Sequence, residues 1–112
     1  MAENFYVNTV GAVPANKLSE AVSLGVTLAE ESKAAGSARA SVGTIMTGNN
    51  AGSVVFQQFF DTLNDFADVM DAFAKSNTYS SIMGTGLTVT MRNIASFVTF
   101  HLMHQLTLKE NT

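Results

Sequence analysis

The sequence predicts an α+β domain with the element order β-α-β-β-α-β: a four-stranded antiparallel sheet carrying two helices on one face. Three observations carry that expectation. Two segments, residues 18–29 and 63–74, space their apolar residues at helical intervals. Each is bracketed by short β-prone segments. The second half of the chain repeats the order of the first.

Residues 4–12 contain Phe5, Tyr6, Val7, Thr9 and Val10 and read as a first strand that ends at Gly11. Pro14 suits the first turn of a helix. Beyond it Leu18, Ala21, Val22, Gly25, Leu28 and Ala29 share one helical face, with Lys17, Glu20, Glu30 and Glu31 off it, and Gly36 is a natural stop. Residues 39–46 read as the second strand, opened by a solvent-facing Arg39. Residues 47–52 (TGNNAG) form a turn of residue types that tolerate positive φ, without the lysine and helix of a phosphate loop. Residues 53–60 (SVVFQQFF) are the third strand. Asp61 is the expected N-cap of a second helix whose face holds Leu63, Phe66, Ala67, Met70, Phe73 and Ala74. Residues 76–81 read as a polar connection. Residues 87–106 are β-prone but too long for one strand, so a bulge or bend is expected at residues 93–96. The order is that of two split βαβ units, the ferredoxin-like pattern.

At 112 residues the chain is expected to be a single domain, with residues 107–112 as a tail. The charged fraction of 13% is about half of the roughly 25% usual in soluble domains, which suggests that part of the surface is covered by a partner. The third strand points the same way. One of its faces takes Val55, Gln57 and Phe59 and the other Val54, Phe56, Gln58 and Phe60, so neither is polar. A strand apolar on both sides is buried on both sides. With helices on one face, a second copy of the sheet is the economical cover for the other, giving a homodimer or a higher oligomer. A net charge of −3 with six scattered basic residues argues against nucleic-acid binding. The absence of cysteine excludes disulfides and thiolate chemistry. The first residues lack the basic and apolar regions of a signal peptide, and no apolar run is long enough to span a bilayer, so a cytoplasmic, membrane-free protein is expected.

The helix DTLNDFADVMDAFAKS followed by NTYSSIM, and the strand SVVFQQFF leading into it, resemble the dimeric α+β barrel superfamily, across nearly the whole chain. That superfamily includes antibiotic-biosynthesis-type monooxygenases, stress-responsive barrel proteins and small uncharacterised members. The resemblance implies two sheets facing each other and a ligand cavity between a sheet and its helices. Its haem-degrading branch uses a Trp with an Asn and a His, and this chain has no Trp. No cofactor is therefore expected.

Few residues qualify to carry chemistry. His101 and His104 are three apart, which places them on opposite faces of a strand, and no carboxylate follows until Glu110, so no metal site is expected. His101 remains a candidate general base. Arg92 lies inside an apolar strand beside Asn93. A buried arginine must meet a carboxylate or an anionic ligand. With Tyr79, these form the catalytic candidates. Tyr6, Gln57, Gln58 and Asn93 are candidate ligand-binding residues, because a buried amide or phenol needs a partner. Met46, Met83, Met91 and Met103 are candidates to line an adaptable apolar cavity. The aspartates of the second helix read as a solvated face. The functional expectation is a homodimer that binds a small apolar or aromatic molecule. The alternatives are a cofactor-independent monooxygenase and a purely structural dimer.

Overall fold

The computed structural model describes residues 4–96. Strand β1 spans Phe5–Ala12, a 3-10 turn Ala15–Lys17, helix α1 Leu18–Ala35, β2 Arg39–Thr44, β3 Val54–Phe60, α2 Leu63–Ala74, α3 Asn77–Met83 and β4 Thr88–Ser96. All pairings are antiparallel and the strand order is β2-β3-β1-β4. The expected α+β, ferredoxin-like architecture is the one observed.

Alternation along the strands decides which face is which. In β3, Val54, Phe56, Gln58 and Phe60 are buried, while Val55, Gln57 and Phe59 on the other face are half-buried. Phe5 and Val7 of β1 stand opposite Phe60 and Gln58 and share the buried face. That face and the helices form one core, with Ala21, Leu28 and Ala29 from α1, Val69 and Phe73 from α2 and Ile82 from α3. Phe5 and Phe60 stack at 5.3 Å and Phe66 meets both edge-on, which pins the start of α2 to one end of the sheet.

Helix α1 buries Ala21, Gly25, Leu28, Ala29 and Ser32, the expected face extended by one turn. Gly36 ends it at a φ of 148°, a conformation that glycine accepts without strain. Helix α2 departs from expectation in two ways. Its N-cap is Thr62 rather than Asp61: the Thr62 hydroxyl accepts the Asp65 N–H at 3.0 Å. Its inner face runs through Phe66, Val69, Met70 and Phe73, with Val69 fully buried, whereas Leu63, Ala67 and Ala74 are exposed. The first correction follows from the extended backbone and hydroxyl of Thr62, and the second from helical phase, which the spacing i, i+3, i+4, i+7 from Phe66 satisfies.

The expected polar connection is a helix. Ser76 caps α3 by accepting the Tyr79 N–H at 3.1 Å, and Ile82 of α3 enters the core. In β4 the irregularity lies at Thr90 instead of residues 93–96. Val10 pairs with Met91 and Gly11 with Val89, so Thr90 is the extra residue of a β-bulge. The expected distal part of this region, residues 97–106, lies outside the described residues.

Candidate functional site

The sheet and the two later helices enclose a cleft of about 240 Å³. Its floor is Thr9, Gly11, Val54, Phe56 and Gln58, its roof Met70, Phe73, Tyr79 and Ile82, and its open side Leu87, Val89 and Arg92. The cleft exists because α3 is short and is followed by a polar break. Gly84 caps the helix, and Gly86, at a φ of 91°, turns the chain back to the sheet. Gly11 shapes the far wall, since a Cβ there would lie 2.8 Å from the Leu87 side chain.

The walls are largely aromatic and aliphatic. Phe73 stacks on Tyr79 with ring centres 5.6 Å apart, and Phe56 meets Phe73 at 6.3 Å. Polar groups enter at few points. Gln58, 2% exposed, donates its amide N–H to Ser32 Oγ at 3.0 Å, and Ser32 in turn shares a 2.5 Å hydrogen bond with Ser37. This buried chain holds the Gln58 amide against the floor. Arg92 Nε donates to Thr9 Oγ1 at 3.2 Å. Arg92 is the one charged residue among the described residues lining the cleft. It is exposed at the cleft rim rather than buried within the strand, because β4 is the sheet edge.

Three of the sequence candidates, Arg92, Tyr79 and Gln58, are therefore brought together. Tyr6, Gln57 and Asn93 are not. They belong to the opposite face of the sheet, where Tyr6 lies opposite Phe59, and Ser41, Gln57, Asn8 and Asn93 form one row across all four strands. On that face Arg39 is exposed and its guanidinium covers the Phe59 ring at 4.1 Å. His101 and Met103 fall outside the described residues. Of the methionines, Met83 lines the cleft as expected, Met70 joins it, and Met46 is 80% exposed. Met91 faces the other side of the sheet, opposite Val10. Among the described residues no three acidic or imidazole side chains converge in a metal-binding group. Sequence reasoning missed Thr9, Gly11, Leu87 and Ile82. For Thr9 the signal was present, since strict alternation from Phe5 and Val7 places it on the helix side.

The model of a family described as a domain of unknown function, DUF6854, matches residues 3–97. The chain belongs to DUF6854. No curated protein sequence matches this DUF6854 chain. Among solved structures it is similar to a conserved protein of unknown function and possible oxidoreductase from Bacteroides thetaiotaomicron. The two share 12% identity at a TM-score of 0.64, over 86% of this chain and 100% of that one. A dimeric ferredoxin-like protein from an uncultured marine organism shares 14% identity at a TM-score of 0.62, over 85% and 94% of the two chains. A Nitrosomonas europaea protein assigned as an antibiotic biosynthesis monooxygenase shares 15% identity at a TM-score of 0.56, over 89% and 94%. At these identities the likeness concerns the fold. Among the described residues, no helix of the DUF6854 domain is long and apolar enough to cross a membrane.

Proposed function

We propose that this DUF6854 domain binds a small apolar or aromatic molecule in the cleft between its sheet and helices α2 and α3, and does so as a homodimer. The observation that carries the binding reading is the cleft itself: an apolar chamber with a few fixed polar groups, the usual composition of a small-molecule site. At about 240 Å³ it lies below the roughly 300–1,000 Å³ of typical ligand pockets, so its occupant is about one ring system in size.

The homodimer reading is supported by the outer face of the sheet. There Val10, Val55 and Met91 form one apolar row, and Tyr6, Phe59 and Ala95 another, on either side of the row containing Asn8, Gln57 and Asn93. The Asn8 side-chain oxygen is buried and has no hydrogen-bond partner among the described residues. A second sheet laid on this face would cover the apolar rows and offer amide donors to that oxygen. A second reading of the cleft, cofactor-independent oxygenation of the bound molecule, is favoured by Tyr79 and Arg92 standing beside its apolar walls. Substrate-dependent oxygen uptake would distinguish it from binding alone.

Titration of isotopically labelled protein with indole tests the binding reading. Shifts concentrated at Thr9, Met70, Tyr79, Ile82 and Leu87, abolished by the space-filling substitution Met70→Trp, are expected. Shifts scattered over other surfaces, or none at millimolar indole, would overturn it.

A further inference from the structure

We infer that the molecule the cleft accepts is a small aromatic monocarboxylate, with its ring in the apolar chamber and its carboxylate on Arg92. The inference rests on the binding reading above and adds the chemical class of the ligand.

The cation comes first. Arg92 spends Nε on Thr9 Oγ1, a hydrogen bond that fixes the plane of the guanidinium and leaves its two terminal nitrogens to other acceptors. Two ion pairs are present among the described residues, Lys17 with Glu20 and Lys33 with Glu30, and neither involves Arg92. The described lining of the cleft contains no carboxylate. A positive charge at the edge of an apolar chamber, unmatched by any acid of that chamber, favours an anionic group at that end of the ligand. The arginine fork matches a planar carboxylate in geometry.

The number of charges limits the anion. One cation lines the cleft, and the remaining polar groups, Thr9, Gln58 and Tyr79, are neutral. A dianionic phosphate would bring one uncompensated charge into contact with Val89, Leu87 and Met83, at a desolvation cost that a monoanion avoids. The walls specify the body of the ligand. Phe73 and Tyr79 lie nearly parallel, 24° apart, and Phe56 meets Phe73 at 57°, so the chamber offers both ring faces and ring edges. An aromatic ring gains from both, whereas an aliphatic chain gains from area alone.

The test compares phenylacetate with phenylacetamide, which have the same shape and differ in charge, by calorimetry or NMR titration on the wild-type protein, Arg92→Met and Arg92→Lys. The wild type is expected to bind phenylacetate roughly tenfold or more tightly than the amide, the range of a charge-assisted hydrogen bond. That preference should fall as ionic strength rises, because Arg92 is exposed. In Arg92→Met the preference of acid over amide disappears, while indole still shifts Met70, Tyr79 and Ile82, which shows that the cleft is intact. In Arg92→Lys part of it returns. Equal binding of acid and amide to the wild type would overturn the inference and leave the binding reading standing. So would a preference that survives Arg92→Met. Failure of both probes to reach the cleft residues that indole shifts would overturn the assignment of ring and carboxylate together. If indole shows no binding either, the earlier reading falls with it.

Discussion

Glu31 acts across a distance that no local pattern reveals. From α1 it accepts the Ser76 hydroxyl on one carboxylate oxygen and the Thr78 hydroxyl on the other, both at 2.5 Å. Ser76 meanwhile accepts the Tyr79 N–H, so one hydroxyl both caps α3 and ties it to α1. These hydrogen bonds, Ser76 first and Thr78 second, hold the Glu31 carboxyl below its ordinary value of 4.5, against a smaller opposing effect of burial. A depressed carboxyl contributes stability that is complete above its unfolded-state value and is lost as pH falls through the folded one. Glu31→Gln should therefore be less stable than the wild type at pH 7, and the difference should shrink below about pH 4.5. Urea denaturation at pH 7 and pH 3 measures this; a pH-independent difference would contradict it. Sequence alone placed Glu31 off the apolar face and could say no more, since its partners are 45 and 47 residues away. Gln57 and Gln58 were more legible. Strand alternation requires them to face opposite ways, and they do, with Gln58 buried under the helices and Gln57 on the outer face.

Elements are placed by the size of the side chains between them. Gly25 lets α1 lie close on β2, for a Cβ added there would come within 2.8 Å of Val42 Cγ2. Valine is stiff at χ1 and has little room to withdraw. Gly25→Val should destabilise the protein by about 1–3 kcal/mol through overpacking, despite the helical cost of glycine itself. Val42→Ala should recover part of the loss, and a double-mutant cycle in chemical denaturation would show the coupling. Additive effects would mean that the two residues do not set the spacing. The helices α1 and α2 were legible from period, yet the frame of α2 slipped because Leu63 and Ala67 also fit an apolar stripe. Burial of Val69, with Leu63 and Ala67 left exposed, chose between the two frames. Helix α3 was not legible: NTYSSIM is short and polar, and its helicity depends on the Ser76 cap and on the tie to Glu31.

At the scale of the whole molecule the sheet has two unlike faces, one closed by helices and one that the proposed second copy would cover. A charge placed centrally on the latter separates the alternatives. On the homodimer reading, Val55→Lys should sediment as a monomer at concentrations where the wild type is expected to be dimeric, with association weakened by at least about tenfold. A wild type that is monomeric throughout would remove the homodimer reading and leave the cleft untouched. The fold class followed from the order and period of the elements, which are properties of the chain. The lining of the cleft did not, because it depends on a change of phase inside β4. Above Thr90 the odd residues Met91 and Asn93 look away from the helices, whereas below it the odd residues Leu87 and Val89 line the cleft. The inserted residue inverts parity. Were Thr90 instead paired in register opposite Gly11, the strand would alternate without interruption, turn Leu87 and Val89 outward, and carry Thr88 toward the helices in their stead. That one unpaired position thus determines whether the wall beside Arg92 is hydrocarbon or hydroxyl, and with it what kind of molecule that wall can hold.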